Sequence, residues 1–196
     1  KLSSLGFIEG LYGKYPRIDK ELVEKHHEGL IATSCCLGAI IPQLILADKI
    51  AEAEVELRWW LDLFGEDYYI ELQRHNIPDQ EKVNQVLLHF AQKYNLKVIA
   101  SNDAHYVDRE DSNAHDILLC VNTNEKQSTP KANEFNIDEN DGRGTRFAFY
   151  NDEFYFKNTD EMGKLFHDIP QAIENTLDIV EKVEVLDLHK NILLPH

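Results

Sequence analysis

Apolar positions in the first hundred residues recur in two ways, at helical spacing and in short continuous runs. Helical spacing predicts one helix that Asp19 caps and Gly29 ends, and a second from Asp48 to Gly65. A third helix follows Pro78. The continuous runs predict three short buried strands, Leu30 to Ser34, Tyr68 to Gln73 and Lys97 to Ser101. Helices that alternate with short buried strands are typical of parallel α/β units.

Beyond residue 105 this alternation is lost. A helix from about Arg109 to Val121 leads into a polar stretch, 122–145, which we interpret as a surface insertion. Phe147 to Lys157 has the aromatic pattern of a strand. Two helices are predicted to follow, Asp160 to Phe166 and Pro170 to Val183. We therefore expect the two halves of the chain to differ in architecture.

Composition narrows the class of protein. The chain has 196 residues, 43% of them hydrophobic and 10% aromatic, which is enough for one globular domain with its own core. Its three cysteines are too few for a disulfide framework, and no apolar run is long enough to span a membrane. These features predict a reducing, cytoplasmic setting without a membrane partner. Because the first residue is Lys1 rather than Met, we expect an internal piece of a longer protein.

The formal net charge is −15, from 35 acidic and 20 basic side chains. Such a chain repels a phosphate backbone, so a main DNA-binding surface is not expected. A small site for divalent cations remains compatible with an acidic protein, because carboxylates and neutral imidazoles are the ligands that such ions prefer.

Candidate metal ligands follow two of the predicted strands. Asp103 and His105 lie two positions apart after the strand that ends at Ser101, so both side chains point to one face if the strand continues. Cys36 follows Ser34 at the equivalent end of another strand and could add a thiolate ligand. Each also has a plain structural interpretation, since Asp-x-His pairs occur in surface turns and free cysteines are often small buried hydrophobes.

Two further residues could support such a site. Glu71 lies in the strand from Tyr68 to Gln73 and His75 lies just beyond it, where either could act as a ligand or hold a ligand by a hydrogen bond. A solvated pair at the end of a strand is the alternative. The sequence contains no serine, histidine and acid order of a nucleophilic triad and no glycine-rich phosphate loop, so the catalytic residues stay unknown.

Short motifs in a fixed order resemble a known family. They are Lys1 to Ser4 (KLSS), Gly13 to Asp19 (GKYPRID), Gly29 to Pro42 (GLIATSCCLGAIIP), Tyr69 to Pro78 (YIELQRHNIP), Ala100 to Tyr106 (ASNDAHY), Glu153 to Lys157 (EFYFK) and Asp168 to Asn175 (DIPQAIEN). The family is the alpha subunit of bacterial DNA polymerase III, in its polymerase-and-histidinol-phosphatase (PHP) domain. Each motif is short, so their order carries most of the specificity.

The resemblance implies part of a (β/α)7-type barrel. We expect a short, mostly parallel sheet with packed helices over residues 1–110. Residues 111–196 would form a C-terminal extension with the polar insertion and helices that lead towards the palm domain. A partial barrel leaves unpaired edges and uncovered apolar surface. The chain is therefore expected either to self-associate or to cover its sheet with the insertion and the C-terminal helices.

The resemblance also implies a metal cluster at the carboxyl ends of the strands. Cys36, Asp103 and His105 match ligands of the family, and zinc or manganese is the implied metal. The family's earlier ligands, including an N-terminal His-x-His motif, have no counterpart in this sequence. The palm's paired aspartates, which would bind magnesium, are absent too, because no Asp-x-Asp occurs.

The implied parent protein is a DNA-directed DNA polymerase that acts on DNA and deoxynucleotides with other replisome subunits. Its PHP domain is implied to be a metal-dependent phosphoesterase that removes 3′ nucleotides, or a scaffold remnant of one. The isolated chain is expected to be inactive. Two alternatives stay open, a free-standing PHP phosphoesterase that acts on a small phosphate ester and an interaction module without chemistry in the parent.

Overall fold

The computed structural model describes residues 1–131 and 144–185. Residues 132–143 of the predicted insertion and residues 186–196 of the predicted extension lie outside this range. The described helices are α1 (Leu2–Ile8), α2 (Lys20–His26), α3 (Ile40–Leu46), α4 (Ile50–Phe64), α5 (Pro78–Tyr94), α6 (Ser112–Thr123), α7 (Thr159–Leu165), α8 (Gln171–Glu174) and α9 (Thr176–Lys182). No helix in these ranges combines the length and apolar content that crossing a bilayer requires.

The predicted parallel sheet is present. Its strands are β3 (Ala32–Thr33), β4 (Tyr68–Leu72) and β5 (Val98–Ala100), in the order β3-β4-β5 with both pairings parallel. A separate antiparallel hairpin joins β1 (Leu11–Tyr12) to β2 (Tyr15–Pro16). Within the described residues the strands do not close into a barrel. The coarse α/β prediction is therefore confirmed, and the barrel itself is not formed by these strands alone.

The helices between the strands begin and end where the local sequence predicts. The Asp19 carboxylate accepts a hydrogen bond from the Leu22 amide at 2.9 Å and caps α2. Gly65 ends α4 with φ +54°, a left-handed conformation that glycine adopts without steric cost. The apolar positions of α5, among them Leu87 and Phe90, are buried against the sheet core. Burial of these faces joins the helices to the central strand β4.

The C-terminal helices pack beside the edge strand β5. Phe166 and Ala172 are fully buried in the same core as the sheet. The Asn175 side-chain amide donates a 2.8 Å hydrogen bond to the carbonyl oxygen of Val98 in β5. The single helix predicted for Pro170 to Val183 is wrong, because α8 and α9 are separate helices that meet at Asn175. Asn175 satisfies a backbone group at the free edge of the sheet.

The strand predicted for Phe147 to Lys157 is also wrong. Its backbone forms one isolated parallel bridge in this range, between Tyr155 and Tyr106. The neighbouring chain turns into a 3-10 helix at Arg109–Asp111, so a longer ladder has no partner there. The aromatic residues that suggested a strand instead pack around His105, with ring centroids 4.5 Å away for Phe149 and 5.7 Å for Phe154. Tertiary packing has overridden the local preference.

Candidate functional site at the carboxyl end of the sheet

The candidate residues gather at one end of the three-stranded sheet. Parallel strands place their carboxyl ends at the same edge, which is where α/β proteins commonly carry chemistry. Cys36 lies in the loop after β3, and Asp103 and His105 lie in the loop after β5. Glu71 belongs to the central strand β4, and His75 follows it. The sequence prediction that these residues occupy one region is supported by this topology.

Cys36 is half-buried in the loop after β3. A hydrogen bond from the Cys35 thiol lowers the pKa of Cys36 to about 6, and the Gly38 backbone N–H acts in the same direction. Burial and the Asp103 carboxylate oppose this shift. The loops after β3 and β5 both leave the carboxyl end of the same parallel sheet. A thiol with a lowered pKa is prepared to bind a cation as thiolate.

Asp103 and His105 form a compact turn. Asp103 has φ +49°, in the left-handed region that Asp adopts more readily than most residues. His105 Nδ1 lies 2.8 Å from the Asp103 carbonyl oxygen. A carbonyl only accepts, so Nδ1 carries the proton and Nε2 keeps its lone pair. His105 Nδ1 also lies 4.0 Å from Asp103 Oδ1. The backbone thus fixes the imidazole tautomer that binds metal through Nε2.

His75 is held differently, with both ring nitrogens engaged. Its Nε2 donates to the Asn102 carbonyl oxygen at 2.8 Å, and its Nδ1 accepts from Gln80 Nε2 at 2.9 Å. The ring is buried and stacks on Phe154 at a centroid distance of 4.2 Å. Burial lowers the pKa of His75 and favours the neutral ring. His75 therefore has no free lone pair for a metal and supports the residue before Asp103.

Glu71 is the second supporting residue, and hydroxyl groups surround its carboxylate. Thr33 Oγ1 donates to Glu71 Oε2 at 2.6 Å, and Ser101 Oγ donates to Glu71 Oε1 at 2.5 Å. Gln73 Nε2 donates to Oε1 at 3.2 Å. Sequence reasoning missed Thr33, Ser101, Gln80 and Asn102, since polar residues at strand ends are common and only three-dimensional pairing distinguishes them. No local signal identified them.

A divalent metal, which the family resemblance implies, fits these residues in donor chemistry. Thiolate, carboxylate and neutral imidazole are ligands of zinc, and the last two also suit manganese. Residues 1–131 and 144–185 nevertheless bring no three His, Cys, Asp or Glu side chains within range of a single ion. Asp103 lies near His105, but Cys36, Asp103 and His105 do not close into one ligand set. The arrangement is that of a partial site.

The first 75 residues match the family model of the PHP domain. The match ends at His75, before Asp103 and His105. The remainder of the chain is matched by individual relatives.

Those relatives are DNA polymerase III alpha subunits. The chain is 45% identical to the subunit of Borreliella burgdorferi over 184 residues, which cover 94% of this chain and 15% of that protein. It is 41% identical to the subunit of Thermus aquaticus, over 94% of this chain and 14% of that protein. It is 43% identical to the subunit of Deinococcus radiodurans, over 83% of this chain and 11% of that protein. The chain thus spans at most 15% of these relatives, and the family predicted from the motifs is confirmed.

Proposed function

We propose that the carboxyl end of this sheet forms part of a divalent-metal site in the PHP domain of a replicative DNA polymerase III alpha subunit. Cys36, Asp103 and His105 supply ligands, and Glu71 and His75 hold the ligand-bearing loops. The observation that carries this proposal is the position of Cys36 after β3 and of the Asp103–His105 pair after β5, at the same end of one parallel sheet. Similarity to polymerase subunits over 94% of the chain favours this family over a free-standing phosphoesterase.

The residues prepare the site for a cation in three ways. The Asp103 carboxylate pairs with no lysine or arginine of residues 1–131 and 144–185, so its charge is available. Backbone contact holds the His105 ring so that Nε2 makes no hydrogen bond with the part of the chain that the structure describes. The Gln80–His75–Asn102 hydrogen-bond series fixes the loop without adding a positive charge. A zinc or manganese ion at this position would supply Lewis-acid activation for phosphate-ester hydrolysis.

The activity of the whole protein is proposed from its relatives. It is a DNA-directed DNA polymerase that acts in the cytoplasm on DNA and deoxynucleotides, with magnesium in its palm domain and other replisome subunits as partners. Its PHP domain is a 3′–5′ exonuclease or the scaffold that remains of one. The isolated chain does neither reaction. Its net charge of −15 opposes DNA binding at physiological salt, and it is expected to self-associate if its sheet lacks other cover.

The test uses the full-length protein with Asp103→Asn and His105→Ala. Metal content, primer extension and removal of 3′ nucleotides are measured together. We expect bound metal to fall in both variants while primer extension stays close to wild type, because the palm supplies the polymerase chemistry. Loss of 3′ removal would identify a nuclease, and metal loss without a nuclease change would identify a scaffold. Unchanged metal content in both variants would contradict the proposed site.

A matched control is Asp178→Asn, an aspartate at the opposite end of the sheet. It changes charge by the same amount and should leave metal content unchanged. Hydrolysis of a small phosphate ester without primer extension by the wild-type protein would instead support the free-standing phosphoesterase.

A further inference from the structure

The Glu71 carboxylate contacts both strands that flank its own. Its Oε2 accepts from Thr33 of β3 at 2.6 Å, and its Oε1 accepts from Ser101, directly after β5, at 2.5 Å. One side chain of the central strand thus bonds to both neighbours at the edge where the ligand-bearing loops begin. Hydrogen bonds to an ionised carboxylate are shorter and stronger than those between neutral groups.

The same contacts continue into the two loops. Thr33 Oγ1, while donating to Glu71, accepts a hydrogen bond from the Cys35 backbone amide at 3.2 Å. Cys35 has φ +62°, and its neighbour Cys36 is the proposed ligand. The second loop begins at Ser101, two residues before Asp103. Its position therefore depends on the bond between Ser101 and Glu71.

A second set of bonds makes the arrangement continuous. Gln73 Nε2 lies 3.2 Å from both Glu71 Oε1 and Ser101 Oγ, and Ser34 Oγ accepts from the Glu71 backbone amide at 2.9 Å. Within residues 1–131 and 144–185, no lysine or arginine contacts Glu71, so hydroxyl and amide dipoles stabilise its charge. Removal of one donor leaves the other hydrogen bonds in place, but the Glu71 carboxylate that they share is then held less firmly.

We propose that Thr33, Glu71 and Ser101 form a clamp across the three strands that couples the position of the Cys36 loop to that of the Asp103 loop. Thr33 and Ser101 are positioning residues that act through Glu71. The clamp rests on the proposed function only in what it positions, because the hydrogen bonds exist whether or not a metal binds. Movement of one loop is expected to change the position of the other loop.

Amide hydrogen exchange measures the clamp directly in the metal-free chain. The variants are Glu71→Gln, which keeps the shape and removes the charge, and Thr33→Val and Ser101→Ala, which each remove one hydroxyl. Bonds to a charged acceptor predict that exchange in residues 34–39 and 101–105 speeds up about tenfold or more in Glu71→Gln. Each single hydroxyl variant should speed up exchange in both segments, with a smaller change in the distant one.

The controls separate positioning from general destabilisation. Glu110→Gln removes an exposed carboxylate and should leave both segments unchanged. Exchange in the middle of α5 should stay within about twofold in every variant, since no hydrogen bond of the described residues joins that helix to Thr33, Glu71 or Ser101. The clamp is overturned if each hydroxyl variant loosens its own segment alone, or if the whole sheet and α5 loosen equally.

A double-mutant cycle measures the coupling between Thr33 and Ser101. Thr33→Val and Ser101→Ala are combined, first in the wild-type background and then with Glu71→Gln. Coupling through Glu71 predicts that the changes in the logarithm of the exchange rate are non-additive in the first background and additive in the second. Additive changes in both backgrounds would overturn the coupling.

Zinc affinity, measured on the same variants, distinguishes the clamp from the proposed metal site. If zinc binding is absent but the exchange coupling is present, the clamp stands and the metal site fails. If zinc binds through Asp103 and no exchange coupling exists, the metal site stands and the clamp fails.

Discussion

The two ends of the sheet are stabilised by different chemistry. At the amino end, Lys97 pairs with Asp178, and Lys182 bonds to Asp67 at 2.7 Å and to the Glu66 carbonyl at 2.8 Å. At the carboxyl end, hydroxyl and amide groups hold Glu71, and no lysine or arginine of the described residues pairs with it or with Asp103. Arg74 also lies at this end, but it bonds to Asp168 of the C-terminal segment.

The amino end of the sheet carries ion pairs that support the fold, whereas the carboxyl end carries the candidate site. Ion pairs at the amino end connect helix α9 to the sheet, and each exposed pair contributes about 0–1 kcal/mol. At the carboxyl end the acidic groups keep their charge without a cationic partner, which has an energetic cost unless hydrogen bonds or a bound cation offset it. Hydrogen bonds offset it for Glu71. The Asp103 side chain is about one-third exposed, so water can solvate its charge.

The largest expected effect concerns the core that both ends share. Phe166→Ala empties a fully buried position beside the sheet and should lower the free energy of unfolding by about 3–5 kcal/mol. Chemical denaturation followed by circular dichroism measures the loss. Phe156→Ala, at a ring that is 70% exposed, is the control and should cost less than about 0.5 kcal/mol. Equal costs would mean that the C-terminal helices are not docked on the sheet.

A second prediction separates the two ends by metal binding. The isolated chain should bind zinc weakly, because three donors without a closed ligand set leave the ion poorly held. Asp103→Asn should weaken this binding about tenfold or more, whereas Asp178→Asn at the amino end should have no effect. Isothermal titration calorimetry tests both variants. Tight, stoichiometric binding of two or more ions would contradict a partial site.

A third prediction concerns the ion pair at the carboxyl end. Arg74 holds the pKa of the Asp168 carboxyl at about 2, below the usual value near 4. A carboxyl with a lowered pKa stabilises the fold above its unfolded pKa and loses that contribution as pH falls through its folded pKa. Asp168 is partly exposed, so screening limits the contribution to about 1 kcal/mol at neutral pH.

Asp168→Asn is the variant that tests this. Its stability deficit should be full at pH 6 and should disappear as pH falls from about 4 to about 2. Denaturation curves of wild type and variant at four or five pH values measure the difference. A deficit that persists at pH 2 would show that packing rather than charge explains it.

The smallest expected effect is at the amino end. Lys182→Met should lower stability by about 0.5 kcal/mol, and the deficit should shrink in high salt because the pair with Asp67 is solvent-accessible. Thermal unfolding at low and high ionic strength measures it. Lys164→Met, at an exposed lysine without an ion pair among the described residues, is the control. A deficit as large as that of Phe166→Ala would show that this pair is not a minor support.

Local pattern predicted the α/β half of the chain well. Apolar periodicity identified α4 and α5, and Tyr68 to Gln73 became β4 with one residue fewer. The same logic failed for Phe147 to Lys157, where aromatic alternation suggested a strand. Whether that alternation becomes a strand depends on a partner strand, and the chain opposite turns away after Val107.

For the site, the sequence by itself determined which donors follow which strands. Asp103, His105 and Cys36 are adjacent to buried apolar runs, and parallel strands must bring such positions to one edge. Only the tertiary structure decided what each residue does there. His75 and His105 are both histidines near strand ends, but burial under Phe154 and two hydrogen bonds engage the first, while a backbone carbonyl leaves Nε2 of the second free. Contacts between residues distant in sequence set that difference, because hydrogen-bond partners and burial are not properties of local sequence.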